Sequence, residues 1–247
     1  IIMTKMIANT LLIVYSIFLI SIFGCQKDEI ENPIQGNSSA VFNPQLTYGT
    51  MTDQDGITYK TVTIGSQTWM AENLRTSKYR NGDKIPVTSS NSSWASSRSG
   101  TYCVFNNSSD ADFIATYGFL YNWYAIADSR NIAPEGWHVP TDAEWDILIE
   151  FLGSSNVSGG KMKESGMLHW NSPNSGATNE SGFTALPGGL RHYDGSFGML
   201  KEHGSWWSTT PTSNGEVWIR DIYFQNTNIG RYEFAKTSGF SVRCIKD

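Results

Sequence analysis

Cysteine, histidine and clustered basic residues are scarce in this sequence. Its 247 residues include three cysteines and four histidines, and His138 has no second histidine or cysteine at the spacing of a metal site. Its 18 lysines and arginines form no run, and the net charge is -5, so nothing favours contact with a phosphate backbone. We therefore expect no metal site, no other cofactor and no nucleic-acid partner.

The sequence motifs of common hydrolases and nucleotide-binding enzymes are also absent. There is no HExxH, no Ser-His-Asp order around a nucleophile turn, and no P-loop, since the glycine pair of "LPGGLR" has no lysine after it. His169, His192 and His203 are scattered along the chain. The paired carboxylates of glycoside hydrolases meet only in space, so the sequence leaves that chemistry open. No motif predicts an enzyme.

The residues that are abundant favour a globular domain of short strands. Hydrophobic residues make up 39% and aromatic residues 13% of the chain, which is enough to bury a core. Glycine, serine, asparagine and threonine are frequent, as in strands joined by polar loops. We expect one α+β domain with short, mostly antiparallel strands, two main helices and long loops.

The N-terminus has the pattern of a secretion signal. Lys5 precedes an apolar run over residues 6–23, which ends at Gly24 and Cys25 before a polar segment. "SIFGC" resembles a bacterial lipobox, and the resemblance implies a signal peptide at residues 1–24 and acylation of Cys25. A membrane-spanning anchor is the alternative, because the run is close to the length of a bilayer span. That alternative does not account for the glycine and cysteine at its outer end.

The residues after the signal indicate a location. "CQKDE" resembles the acidic export tag of surface lipoproteins of the Bacteroidota. The resemblance implies an outer-membrane protein that is held by a lipid on Cys25 and exposed at the cell surface. Residues 25–50 lack periodicity and are predicted to be a flexible tether. The folded domain is predicted at residues 51–247.

Two segments are predicted to be helices. The "TDAE" of Thr141 to Glu144 matches the capping box, an apolar face follows at helical spacing, and Gly153 is a stop signal. This predicts a helix at residues 142–152, and its acidic residues then have local roles rather than catalytic ones. The aromatic-rich residues 117–127 are predicted to form the other helix.

Two hairpins are predicted from turn residues. Asp55-Gly56 and Gly65-Ser66 flank alternating strand residues, so the domain begins with antiparallel strands. Asp53 and Asp55 also resemble the start of a calcium loop, but no acidic residue closes it. Near the C-terminus, "GEVWIRDIYFQ" and "GRYEFAKTSGFSVRCIK" are predicted to form a hairpin-like sheet across residues 226–228.

Six sequence blocks, in order, resemble one known family. The blocks are "DGITYKTVTIGSQTWMAENL", "YGFLYNWYAIAD", "APEGWHVPTDAEWDIL", "SGFTALPGGLR", "WWSTT" and "GFSVRCIKD". Together they resemble the Fibrobacter succinogenes major paralogous domain, found in bacterial surface proteins and lipoproteins, over residues 51–247. "GWHVPTDAEWDIL" is also similar to a block of the formylglycine-generating, sulfatase-modifying family. These resemblances imply a C-type-lectin-like α+β fold and a cell-surface setting, but no reaction.

The resemblance to the formylglycine-generating enzymes raises an oxidase as a hypothesis. Those enzymes hold copper through a pair of cysteines a few residues apart, because Cu(I) needs soft thiolate ligands. After Cys25 this chain has only Cys103 and Cys244, which no short loop joins. A divergent oxidase or hydrolase is therefore kept only as the last alternative.

We favour a noncatalytic binding or adhesion module for an extracellular glycan or protein. Isolated or paired tryptophans can stack on such a ligand. A purely architectural surface domain is the first alternative, and a glycan-array and pull-down screen would separate the two. The most informative single observation is which tryptophans are exposed together in one concavity. The candidates for stacking are Trp94, Trp170, Trp206 and Trp207.

The two remaining cysteines are even in number and permit one disulfide. Cys103 lies in "GTYCVFN" and Cys244 in "GFSVRCIK", both of which read as strands. An exported protein meets an oxidising environment, which favours a bond with a structural role. The alternative is two buried thiols that never meet, because free cysteine packs as a small hydrophobic residue.

Overall fold

The structure is a computed structural model that describes residues 36–247. The predicted signal peptide at residues 1–24 and the predicted lipid-bearing Cys25 lie outside the described residues. Within residues 36–247, none of the helices has the length and apolar character needed to cross a membrane.

The described chain is a mixture of many short strands and few helices. The helices are α1 (Asn91–Ser96), α2 (Ala111–Tyr117), α3 (Trp123–Ile126), α4 (Asp142–Phe151) and α5 (Ser155–Met162), with a 3-10 turn at Phe105–Asn107. The strands are β1 (Gly49–Thr52), β2 (Thr58–Ile64), β3 (Gln67–Met70), β4 (Tyr102–Cys103), β5 (Leu120–Asn122), β6 (Trp137–His138), β7 (Gly188–Arg191), β8 (Phe197–Leu200), β9 (His203–Pro211), β10 (Val217–Tyr223), β11 (Ile229–Phe234), β12 (Gly239–Phe240) and β13 (Ile245–Lys246).

The strands form three sheets. One has the order β1-β2-β3-β13-β6, the second β4-β5-β12-β7-β8, and the third β11-β10-β9. All pairings between these strands are antiparallel. The prediction of an α+β domain with short, mostly antiparallel strands is thus confirmed at that level.

The first hairpins lie where the turn residues predict them. β1 pairs with β2 across the turn that contains Asp55 and Gly56, and β2 pairs with β3 across Gly65. Gly56 and Gly65 have φ of 80° and 62°, which only glycine adopts at little cost. Asp53 does not open a cation loop, because its carboxylate accepts from the amides of Asp55 and Ile57.

The predicted helix at residues 142–152 is confirmed as α4. The Thr141 hydroxyl accepts from the Glu144 amide at 3.2 Å, and Glu144 Oε2 accepts from the Thr141 amide at 2.7 Å. This is the capping box that the sequence predicts. His138 also contacts the cap, since its Nε2 lies 2.8 Å from Glu144 Oε1. The histidine and acids of this segment build a helix start.

The single helix predicted at residues 117–127 is wrong. Gly118, with φ of 74°, ends α2, and the chain then extends as β5 before the single turn of α3. Tyr121 pairs with both Tyr102 and Phe240 in the second sheet. Burial of the aromatic residues on a sheet, which a local pattern cannot reveal, decides the conformation of this segment.

The C-terminal hairpin is confirmed only in its first half. β10 and β11 pair antiparallel across residues 226–228. β12 and β13 instead join the other two sheets, between β5 and β7 and between β3 and β6. The predicted continuation of one sheet through residue 246 is therefore wrong, because β12 and β13 each complete a different five-stranded sheet.

The described part of the predicted tether, residues 36–50, lies against the domain. Ser39 Oγ is 2.9 Å from His169 Nε2, and Glu164 Oε1 accepts from the Val41 amide at 2.6 Å. Glu164 is fully buried, and its other oxygen is 2.7 Å from His169 Nδ1. The packed structure therefore begins before residue 51, because the buried Glu164 carboxylate accepts one of its hydrogen bonds from residues 36–50.

Candidate functional site

The four tryptophans predicted to stack on a ligand are all buried, with at most 2% of each exposed. Trp170, Trp206 and Trp207 donate their indole N–H to Ala185 O, Asn73 Oδ1 and Tyr121 O. Trp94 is covered by the Arg191 guanidinium, 4.5 Å from its ring centre. The stacking prediction is wrong for these residues, because each indole is a core side chain with its polar edge satisfied or its face covered.

The predicted disulfide is also absent, since Cys103 and Cys244 are both free and buried. Cys103 packs with Trp94 and Leu120, whereas Cys244 belongs to the larger core around Tyr59 and Tyr121. Burial raises the pKa of the Cys103 thiol to about 12 and raises that of Cys244 further. Both thiols therefore behave as small hydrophobic residues of low reactivity.

The third sheet has one face that is partly open, and this face forms the candidate site. Alternate residues of β9, β10 and β11 point to it, as the pleat requires. Together with the β7–β8 hairpin they enclose a cavity of about 250 Å³, here called the groove. The groove is lined by Leu190, His192, Met199, His203, Ser205, Ile219, Asp221, Tyr232 and Phe234.

Tyr232 supplies the exposed aromatic surface of the groove. It is opposite Ile219 in the ladder, and 53% of it is exposed. A Cβ added to Gly230 would lie only 2.3 Å from the Tyr232 ring, so the ring lies across the backbone of that glycine. Gly230 in turn pairs with Asp221. The missing side chain at Gly230 thus makes room for the Tyr232 ring in the row next to Asp221.

Asp221 is the only carboxylate that lines the groove, and it is already hydrogen bonded. The Ser205 hydroxyl donates to Oδ1 at 2.6 Å, and His203 Nδ1 lies 2.9 Å from Oδ2. The His203 ring stacks on Tyr223 with centres 4.5 Å apart. Serine and histidine both bond to the aspartate and not to one another, so the three do not form a nucleophile with its base.

The opposite wall of the groove is the β7–β8 hairpin. Met199 is 42% exposed and has φ of 64°, a left-handed conformation that non-glycine residues rarely adopt. His192 lies beside Gly198, where an added Cβ would be 3.1 Å from its Nε2. Backbone strain of this kind often lies at binding sites. The hairpin therefore presents a flexible thioether and an imidazole to the groove.

A second, more polar cavity adjoins the groove. It has a volume of about 130 Å³ and shares Asp221 and Tyr232 with the groove, so the two form one continuous surface. Three asparagines and a serine dominate its rim. We call it the amide cavity; it is lined by Ser155, Asn156, Asp221, Tyr223, Asn226, Asn228, Ile229, Gly230 and Tyr232.

The turn that carries Asn226 and Asn228 rests on two glycines of α5. A Cβ at Gly159 would lie 2.2 Å from Asn228 O, and one at Gly160 would lie 2.6 Å from Gly176 O. Glycine inside a helix costs about 0.5–1 kcal/mol relative to alanine. Here the missing side chains let two loops approach the helix backbone.

Lys163 anchors the same turn from beneath. Its fully buried side chain donates from Nζ to Ser175 O at 2.9 Å, Asn226 O at 2.9 Å and Tyr223 O at 3.3 Å. No carboxylate pairs with it among the described residues. Burial lowers the pKa of the ammonium to about 8. The lysine is a positioning residue for the amide cavity.

Sequence reasoning noted His192 and His203 but did not place them together, and it missed Asp221 and Tyr232. The alternation in "VWIRDIYF" and "GRYEF" could have shown that Asp221 and Tyr223 share a face. It could not have shown which face stays open. Over residues 36–247, no group of three or more histidine, cysteine, aspartate or glutamate side chains is arranged to hold a metal ion.

In a comparison with protein families, the chain matches the Fibrobacter succinogenes major domain over residues 62–246. The chain belongs to this family. The match covers about three quarters of the 247 residues and includes the groove, the amide cavity and α4. No curated protein and no solved structure matches the chain. Membership of the Fibrobacter succinogenes major domain family does not by itself give a function, so the function must be inferred from the site itself.

Proposed function

We propose that this protein is a noncatalytic surface lipoprotein whose domain binds an extracellular glycan or protein through the groove. In this proposal a lipid on Cys25 holds it to the outer membrane, and the domain has a C-type-lectin-like fold related to the sulfatase-modifying family. The groove itself is the observation that carries the binding role. It is a preformed concavity with an exposed aromatic ring and a few fixed polar groups, as in small-ligand sites.

Catalysis fits the same residues less well. Ser205 is buried and donates to Asp221, so its hydroxyl is not held by a histidine base. Both cysteines of the described chain are buried, and their thiols have raised pKa values, which opposes a copper-thiolate oxidase. These features favour binding over an oxidase or hydrolase.

The binding role is tested by Tyr232→Ala. Loss of the exposed ring should weaken ligand capture on a glycan array or in a pull-down by about tenfold, which corresponds to about 1.4 kcal/mol. It should lower the free energy of unfolding by no more than about 1 kcal/mol, because about half of the side chain is exposed. The control is Tyr193→Ala, since Tyr193 is 64% exposed and lies outside the groove lining.

Two results would contradict this role. Unchanged capture by the Tyr232→Ala protein would remove the groove as the site. Failure of the parent protein to capture any glycan or protein would favour the architectural alternative, in which the domain acts as a spacer or assembly unit.

The anchor is tested by Cys25→Ser. A thiol accepts a diacylglycerol whereas a hydroxyl does not, so the variant should incorporate no radiolabelled palmitate in cells and should leave the membrane fraction. Palmitate incorporation equal to that of the parent protein would exclude Cys25 as the acylated residue.

A further inference from the structure

We propose that the groove and the amide cavity together bind an uncharged oligosaccharide, with a sugar ring stacked on Tyr232 and hydroxyl groups at the asparagines. This inference rests on the proposed binding function and names the class of its ligand. It follows from the charge, the shape and the hydrogen-bonding groups of the two cavities.

The charge of the two cavities disfavours acidic ligands. No lysine or arginine is among the residues that line either one, and the single carboxylate, Asp221, lies where they meet. A carboxylate or sulfate on a ligand would approach Asp221 without a cation to pair with, and like charges repel. Arg220 and Arg231 point to the other side of the sheet, where they bind Asp142.

The same carboxylate is a poor partner for a basic ligand. Both Asp221 oxygens already accept from Ser205 or lie within hydrogen-bond distance of His203. The Asp221 side chain is only 12% exposed, so a lysine or arginine of a peptide would reach little of it and would lose much of its own hydration. A ligand without formal charge avoids both penalties.

The remaining groups match the two sides of a sugar. A pyranose has an apolar face of C–H groups, which can cover an aromatic ring such as Tyr232, and a rim of hydroxyls that both donate and accept. Asn156, Asn226 and Asn228 offer side-chain amides, which have the same dual capacity. Asn226 Oδ1 accepts from the Asn228 amide, which fixes the turn and leaves its NH₂ group for a ligand.

The arrangement also indicates more than one sugar unit. Tyr232 and Asp221 line both cavities, whose volumes are about 250 and 130 Å³. The larger is apolar around Leu190, Met199 and Phe234, whereas the smaller is polar. One ring on Tyr232 reaches only part of this surface, so a second unit is needed to contact the amides.

The test compares matched neutral and acidic ligands on the full chain. The probes are neutral cello-, xylo-, manno- and galacto-oligosaccharides, oligogalacturonate as the acidic counterpart, and an unstructured peptide library. We expect binding to at least one neutral series, at least tenfold weaker binding to oligogalacturonate, and little change in affinity between about 0.05 and 0.5 M salt.

Two variants connect the ligand to the site. Asn228→Ala should weaken neutral binding about threefold to tenfold, as expected for one lost hydrogen bond of about 0.5–1.5 kcal/mol. Asn214→Ala is the control, because Asn214 is an exposed turn asparagine outside both cavities. A fold check by circular dichroism accompanies each variant.

The outcomes separate this inference from the proposed function. If the protein captures a peptide or oligogalacturonate and Tyr232→Ala abolishes that capture, the binding role stands. The inference of an uncharged saccharide ligand is then overturned. If neither Tyr232→Ala nor Asn228→Ala weakens the binding of a neutral oligosaccharide, the groove and the amide cavity are excluded as the binding site, both for the proposed function and for this inference. Absence of binding to every neutral series overturns this inference, whatever the peptide library shows.

Discussion

Arg220 and Asp221 are consecutive residues of β10, yet they belong to opposite faces of the same three-stranded sheet. Arg220 donates to Asp142 and Asp146 of α4 and is almost fully buried. Asp221 lines the groove and the amide cavity. Both faces carry charged side chains. They differ in whether a helix covers them.

The covered face uses its charges to hold α4. Asp142 pairs with both Arg220 and Arg231, and its backbone amide donates to Thr210 Oγ1 at 3.0 Å. Trp206 lies opposite Arg220 in the ladder and packs on Phe183 and Trp145. Arg220, Arg231 and Asp142 therefore bind one another across the boundary between the sheet and α4.

The open face keeps its groups arranged but accessible. Tyr232 rests on Gly230, Asp221 is oriented by Ser205 and His203, and the turn at residues 226–228 is held by Lys163. Such orientation lowers the entropy lost when a ligand binds. The contrast teaches that the proposed binding surface consists of side chains that are fixed yet uncovered, whereas the tryptophans considered from the sequence are buried.

Trp206→Ala breaks the covered face and has the largest expected effect. Removal of the fully buried indole leaves a cavity, and Asn73 Oδ1 loses one of its two hydrogen bonds and keeps the one from Arg243, so the free energy of unfolding should fall by about 3–5 kcal/mol. Urea denaturation measures the change. Trp218→Ala is the control on the same face, because Trp218 is only half-buried, and it should cost clearly less. Equal losses of unfolding free energy in Trp206→Ala and Trp218→Ala would contradict the packing described.

Asp142→Asn sharpens the comparison by removing the charge that binds α4 to the sheet. Two arginines lose a charged acceptor, although Arg220 keeps Asp146. We expect a loss of about 2 kcal/mol, typical of a hydrogen bond to a charged group. Asp146→Asn should cost less than about 1 kcal/mol, since Asp146 is 55% exposed. A larger loss from Asp146→Asn than from Asp142→Asn would reverse this assignment.

Lys163→Met tests, through the pH dependence of stability, whether Lys163 supports the open face as a buried ammonium. The folded pKa of about 8 lies below the ordinary 10.5, so between these values the folded protein binds fewer protons than the unfolded chain. The stability of the parent protein relative to the variant should therefore increase as pH rises from 8 to 10. The slope is at most about 1.4 kcal/mol per pH unit, that of one proton.

The measurement is urea unfolding of both proteins at each pH, so that other titrating groups cancel in the difference. Lys161→Met is the control, because Lys161 pairs with Glu180 at the surface. A difference that does not vary with pH would show that Lys163 is not a buried ammonium held by carbonyls.

Local patterns predicted the parts of the molecule whose interactions are local. The capping box of Thr141 and Glu144 and the stop at Gly153 define α4 within one helix length, so the sequence predicted it correctly. The turns at Gly56 and Gly65 likewise allowed the first hairpins to be predicted correctly. The segment at residues 117–127 failed, because Tyr121 adopts a strand to pair with residues far along the chain.

The sequence by itself determined the family, the antiparallel α+β character, the position of α4 and the pairing of β10 with β11. Only the tertiary structure decided that Trp206 and Trp207, adjacent in sequence, fill two different cores, and that Tyr232 stays exposed. The physical reason is that a strand's two-residue period assigns side chains to alternate faces but does not say what covers each face. That depends on helices and loops distant in sequence, and here α4 covers one face while the other remains open.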